Sequence, residues 1–251
     1  MSALSRLRSY AVYNPLIWSY TVVCGACSLT ESFWDREGVR QHQWAVRWSR
    51  MILKTVQAPV EIVNAERLAG LPPAVVAANH ISAMDIPVLY TQLPFPFRIV
   101  ANKNLFDYPF MGWHMRRSGQ IPIDRSSPRA TFKSLLKGVE DLRQGMSVVI
   151  FPEGGRSTNG HLSEFQNGAF YLAVKAQAPV LPVAIVGTYE LLPMDTFHIR
   201  PRTLKLVVGE PVPTVGLTTH DLDDLSARVR DSLHALYYAH AVLPDPYKTS
   251  A

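Results

Sequence analysis

The chain has 251 residues, 47% of them hydrophobic and 18% charged, with 25 Lys and Arg against 20 Asp and Glu. So apolar a composition excludes an intrinsically disordered chain, and the length suits one sizeable domain, or one domain with an appendage, with residues enough for a core. Residues 1–58 carry seven basic side chains (Arg6, Arg8, Arg36, Arg40, Arg47, Arg50, Lys54) against three acids (Glu31, Asp35, Glu37), an N-terminal excess that points to an anionic surface, either lipid headgroups or nucleic acid.

In chain order, residues 11–29 are apolar over about the length that spans a bilayer, but Asn14, Pro15, Ser19, Tyr20, Thr21 and Gly25 dilute them, and a transmembrane assignment fails. The stretch is long and aromatic-rich and lacks a small-residue cleavage site, so it is expected to stay in the mature protein. Cys24 and Cys27 lie inside it; two thiols build no disulfide framework, and without a preceding strand their spacing reads as packed thiols, compatible with a reducing compartment. Residues 41–57 have a helical pattern that gathers Trp44, Trp48, Met51, Ile52 and Thr55 on one face, with Arg47, Arg50 and Lys54 on its flank. Tryptophans beside cations suit an interfacial helix, its rings at headgroup depth. Val46 and Leu53 point the other way and leave open a helix packed against its own domain.

After Pro59 short β-branched runs alternate with longer mixed segments, the texture of an α/β domain. Strands are expected at 60–63, 74–78, 98–101, 120–123, 147–151, 180–186 and 203–208. Helices are expected at 130–144, where Phe132, Leu135, Leu136, Val139 and Leu142 form one stripe and Gly145 is placed to end it, and at 165–177 and 222–239. The expected organisation is an N-terminal membrane-docking helical segment, 1–58, before an α/β domain, 59–251, with a mixed, largely parallel sheet flanked by helices.

The residues that carry chemistry follow strands, where sites form in open α/β sheets. His80 and Asp85 stand five positions apart after the second strand; a carboxylate on one ring nitrogen fixes the tautomer and leaves the other nitrogen free to take a proton from a hydroxyl. A capping box of Ser82 and Asp85 is the local alternative. Pro87 opposes it, because with Asp85 as the cap Pro87 falls in the first turn, where its missing N–H is harmless. Phe151-Pro152-Glu153-Gly154-Gly155-Arg156-Ser157 follows a later strand; its glycines let amides turn toward an anion and Arg156 adds a planar donor, although a tight turn with a solvated Arg fits as well. Arg125, after Asp124, offers a second guanidinium, or else a surface Asp-Arg pair. Lys103 follows another strand as a point charge.

Together these residues resemble the bacterial 1-acyl-glycerol-3-phosphate acyltransferases of the wider glycerolipid acyltransferase superfamily, over about residues 60–210. Asn79, His80 and Asp85 match the first block; Gly119, Ile121, Ile123, Asp124 and Arg125 the second; Phe151, Pro152, Glu153, Gly154, Arg156 and Ser157 the third; and the strand around Pro182 the fourth. Gly155 stands where the third block usually has threonine, and Pro122 where the second has a bulky apolar residue. The resemblance implies that His80, oriented by Asp85, deprotonates the hydroxyl of a lysophospholipid, which attacks the thioester of acyl-CoA or acyl carrier protein without a covalent acyl-enzyme. It implies that Lys103, Arg125 and Arg156 hold the acceptor phosphate and that Glu153 and Gly154 shape that phosphate-binding loop. No cofactor is implied, and no metal, since the histidines are scattered. A lipid acceptor selects the membrane over nucleic acid as the anionic partner, at the cytoplasmic face of the inner membrane, by peripheral attachment or a single N-terminal span. Glycerol 3-phosphate, lyso-ornithine lipid or another lysophospholipid are alternative acceptors. A non-catalytic lipid-binding scaffold and a hydrolase are the rivals from other classes; the hydrolase lacks a Gly-x-Ser-x-Gly nucleophile motif.

Overall fold

The computed structural model describes residues 3–124 and 126–246. Three helices open the chain: α1 (Ala3–Arg8), α2 (Asn14–Glu31), joined to it by a π-helical turn, and α3 (Val39–Thr55). There follow β1 (Val60–Val63), β2 (Val75–Ala78), α4 (Asp85–Gln92), β3 (Phe97–Asn102), α5 (Met111–Arg117), β4 (Ile121–Ile123), α6 (Pro128–Arg143) and β5 (Ser147–Ile150). After α7 (Tyr171–Ala176) come β6 (Val180–Val186), α8 (Thr188–Leu191), β7 (Leu204–Val208) and α9 (Leu222–Tyr238). All seven expected strands are present, within a residue of the expected bounds.

The strands make one sheet, ordered β1-β7-β6-β2-β5-β3-β4. From β6 to β4 every neighbour is parallel, whereas β7 runs antiparallel to β6 and parallel to β1. Both faces are covered, which is why β2, β5 and β6 read as unbroken apolar runs. Side chains alternate between the faces: Val76 and Ala78 join the core under α3 and α4, and Val75 and Ala77 the core under α6, α7 and α9. Proline is tolerated at two sheet positions for stated reasons. Pro122 sits on the edge strand β4, and the Pro182 carbonyl accepts from Gly209 N–H just past the end of β7, so its missing amide proton interrupts no ladder.

Three helical expectations change in detail. Residues 165–166 are not helical, because Gln166 N–H is drawn to Pro152 O at 2.8 Å, and a 3-10 turn (Asn167–Phe170) precedes α7. Of the expected stripe on α6, Val139 and Leu142 are buried, while Phe132 and Leu136 face outward. On α3 the tryptophan face turns inward, Trp48 Nε1 donating to Thr21 Oγ1 of α2 at 3.0 Å. The adjoining strip of α3 buries Gln41, Ala45 and Ser49, together with Ile52 from the edge of the tryptophan face, against the domain. The exposed apolar row lies instead on α1, the π-helical turn and α2, with Leu4, Leu7, Tyr10, Trp18 and Val23 outward. Among the described residues no helix is long and apolar enough to cross a membrane.

Two histidines, one buried and one half-buried, lie at these N-terminal helices. His42 of α3 lies between the rings of Tyr90 and Phe97, 5.1 and 4.8 Å away, and burial, reinforced by the Arg98 charge, lowers its pKa to about 4. Burial alone does the same to His114 of α5, which meets Ser28 of α2 at 2.6 Å. Both are neutral in the fold and take a proton near pH 6.5 when unfolded. Their contribution is therefore complete above about pH 6.5 and is lost as pH falls toward 4. The melting temperature should drop between pH 7.5 and pH 5, and less so in His42→Phe; a variant that tracked the wild type through that window would refute this account.

Candidate active site

Because the five strands β6, β2, β5, β3 and β4 are parallel, their C-terminal ends share one edge of the sheet. Each end delivers part of the site: Asn79 and His80 after β2, Phe151 to Ser157 after β5, Lys103 after β3, Asp124 after β4 and Thr188 after β6. Asn79 fixes the position of the first. Its side-chain amide donates to Ile185 O and accepts from Ile185 N–H, at 2.9 and 2.7 Å, so a side chain continues the ladder to β6 where the β2 backbone turns away.

At the turn His80 Nδ1 lies 2.8 Å from Asp85 Oδ2. A carboxylate only accepts, so Nδ1 carries the proton and Nε2 keeps its lone pair. The imidazole stacks on Phe151, with centroids 4.1 Å apart and planes 20° from parallel, and its side chain is 19% exposed, enough for Nε2 to meet a substrate hydroxyl. Asp85 is wholly buried. The same Oδ2 accepts from Ile81 N–H and Ser82 N–H at 2.8 and 2.9 Å, and Oδ1 accepts from Thr188 Oγ1 at 2.6 Å.

The helix begins at Asp85, one residue earlier than a cap at that position allows: Met84 is the cap residue and Pro87 the third helical residue, still inside the first turn. The orienting and local roles of Asp85 coexist, since its carboxylate takes both the ring and the Ser82 amide. Ser82 is not its reciprocal partner; its hydroxyl donates to Leu192 O at 2.7 Å.

The loop after β5 faces this pair. Glu153, 8% exposed, accepts from His80 N–H through Oε1 at 2.8 Å and from Ser163 N–H through Oε2 at 2.7 Å. Ser157 N–H donates to His80 O at 2.9 Å. Burial pushes the Glu153 carboxyl up to about 7 despite those two amides. Its carboxylate is turned inward to backbone, so it shapes the loop rather than meeting a phosphate. Gly154 takes a left-handed φ of 74° where it closes the turn, its N–H donating to Phe151 O at 2.8 Å. A Cβ on Gly155 would meet nothing within 4 Å, so the position has room for a larger residue.

Of the expected cations, Arg156 is exposed and makes no ion pair among the described residues. Lys103 Nζ bonds Asp124 Oδ2 at 2.7 Å; that bond, followed by those from Ser126, holds the Asp124 carboxyl below its usual range. Arg125 lies outside the described residues. An open cleft of about 540 Å³ extends from Lys103 between α5 and α6, with Arg116, Lys133 and Lys137 on its walls. Sequence reasoning missed Thr188, Ser163 and the Phe151 stack. Thr188 alone had a usable signal, since it closes a strand parallel to β2 and so ends at the same edge.

Comparison with known proteins bears on this arrangement. A family model described as Acyltransferase matches residues 59–186. The chloroplastic 1-acyl-sn-glycerol-3-phosphate acyltransferase LPAT1 of Arabidopsis thaliana is 34% identical over 159 residues, 61% of this chain and 44% of that protein. The 1-acyl-sn-glycerol-3-phosphate acyltransferase of Saccharomyces cerevisiae is 33% identical over 178 residues, 69% of this chain and 58% of that one. This chain thus spans about half the length of the curated relatives it matches. The crystal structure of the 1-acyl-sn-glycerophosphate acyltransferase PlsC of Thermotoga maritima superposes with a TM-score of 0.79 at 25% identity, covering 94% of this chain and 96% of that one.

Asn79→Ala should leave both polar groups of Ile185 without their partner at a buried position, at a cost of about 2–4 kcal/mol. Chemical denaturation would read this as a lower midpoint at unchanged slope, and an unshifted midpoint would mean that Asn79 does not hold the β2 corner.

Proposed function

This chain belongs to the acyltransferase family, and on that premise we propose that it moves a fatty acyl group from an acyl thioester to the free hydroxyl of 1-acyl-glycerol 3-phosphate, giving phosphatidic acid. The observation that carries this reading is the hydrogen bond between His80 and the buried Asp85 at the open edge of the sheet, in a chain whose relatives are named for this reaction. His80 Nε2 takes the proton of the acceptor hydroxyl as its oxygen attacks the thioester carbonyl. The tetrahedral intermediate collapses with loss of the thiolate, which takes the proton back from the imidazolium. Asp85 holds the tautomer and stabilises the transient positive charge. The thioester is already activated, so this chemistry needs neither a metal nor a cofactor.

Arg156, on the loop that faces the pair, makes no ion pair among the described residues, and with Lys103 and Arg125 it is assigned the acceptor phosphate; an arriving phosphate competes with Asp124 for Lys103. Lys133 and Lys137, with Arg116 paired to Asp107, line the adjoining cleft, and its excess of positive charge suits the anionic thioester carrier, coenzyme A or acyl carrier protein. The exposed row on α1 and α2, with Arg6 and Arg8 beside it, supports attachment in the plane of an anionic bilayer surface, at its cytoplasmic face.

Transfer from palmitoyl-CoA to lysophosphatidic acid, with thiol and lipid product both quantified, tests the chemistry. His80→Ala should lower kcat by about 10²–10⁴, the range of a general base, and retention of wild-type turnover would exclude His80 from the chemistry. The attachment has its own test. Leu7→Glu combined with Trp18→Glu should abolish co-sedimentation with phosphatidylglycerol vesicles, and undiminished sedimentation would place the membrane contact elsewhere.

A further inference from the structure

The segment between β5 and the 3-10 turn at Asn167–Phe170 carries Glu153 yet contains no helix or strand. Loops of this length are mobile unless something outside them holds them. Here the backbone from Gly160 to Leu162 is held from the far end of the chain, by two consecutive tyrosines at the end of α9. Tyr237 is 2% exposed, and its hydroxyl donates to Gly160 O at 2.6 Å. Tyr238 presents its hydroxyl oxygen to Leu162 N–H at 3.3 Å and to His161 Nδ1 at 3.2 Å. The next residue, Ser163, donates its amide to Glu153, and the other oxygen of Glu153 holds the His80 amide. Two sets of hydrogen bonds, linked by the short stretch of backbone from Gly160 to Ser163, therefore join Tyr237 to the residue that carries the imidazole.

Three further observations fit this connection. The Tyr237 ring packs in a small core cluster with Ile81, the residue after His80, and with Ala184 of β6. Burial first, and then the charges of Glu190, Asp85 and Glu153, raise its phenol above the ordinary range, so the hydroxyl stays a donor. Gly160 has a φ of 80°, and a Cβ there would lie 2.7 Å from Leu243 and 2.8 Å from Tyr189, so the segment is confined on its other side as well. Both tyrosines lie beyond residue 186, where the family match ends.

We propose that Tyr237, assisted by Tyr238, is a positioning residue of the acyl-transfer site, holding Gly160–Ser163 so that Glu153 fixes the backbone of His80. The proposal rests on the acyl-transfer reading above. Tyr237 touches no reacting atom in this scheme; its hydroxyl sets the near-attack geometry of the base, which enters kcat rather than substrate affinity.

The test is steady-state transfer by the full-length chain from palmitoyl-CoA to lysophosphatidic acid, with melting curves for each variant. Tyr237→Phe removes one oxygen and should lower kcat about tenfold, the effect of one lost buried hydrogen bond on the geometry, with both KM values within about twofold of wild type. Gly160→Ala, which pushes the same segment from its other side, should do likewise. Val229→Ala, a cavity in the same helix against the opposite core, should lower the melting temperature and leave kcat unchanged. An unchanged kcat in folded Tyr237→Phe, or an equal loss in Val229→Ala, overturns the proposal by reducing Tyr237 to a stabilising contact. A wild type that transfers no acyl group would remove the reading beneath it, a failure distinguishable from the other two because the variants would then have nothing to lose.

Discussion

A carboxylate with no exposed surface must be met by hydrogen-bond donors on both oxygens, and the demand made by Asp85 organises the centre of this molecule. Four donors meet it: the His80 ring, the amides of Ile81 and Ser82, and the Thr188 hydroxyl. They come from the turn after β2 and from the end of β6, so burying one charge ties two parallel strands and the start of α4 into a single geometry. The proton on Nδ1 and the lone pair on Nε2 are consequences of that requirement.

The loop after β5 repeats the arrangement at one remove. Glu153 is buried and accepts from the amides of His80 and Ser163, so the second carboxylate holds the backbone of the residue whose side chain the first one orients. The raised pKa of Glu153 shows burial outweighing both amide donors. The cations differ: Lys103, Arg156 and the cleft cations are exposed or partly exposed, free to exchange a protein partner for a phosphate. Buried anions that fix the base and solvated cations that meet the ligand make a consistent division of labour for the proposed transfer.

The N-terminal helices show how a correct pattern can be attached to the wrong surface. The tryptophan face of α3 is real, but Trp48 donates to Thr21 and the Tyr20 and Thr55 hydroxyls meet at 3.1 Å, so α2 covers that face. Covering it leaves the far side of α2, with α1, facing outward. Periodicity reports that a face is apolar and cannot say whether protein or lipid lies against it.

Much was legible in the sequence because it is local. Seven strand positions followed from β-branched runs between turn residues, and the His80–Asp85 pair from a spacing of five across a strand-to-helix corner, short enough for one turn to close. What spacing cannot hold is any partner supplied by another part of the chain. Thr188 is 103 residues from Asp85 and Tyr237 is 77 from Gly160, and neither sits in a motif. The parallel direction of five strands brings the first pair to one edge, and the packing of α9 beside β6 brings the second to the loop. The sequence by itself determined which residues are proposed to carry proton-transfer chemistry, since that reading depends on side-chain type and local turns; tertiary structure alone decided what satisfies the buried carboxylates, because those donors meet only once the sheet has closed around them.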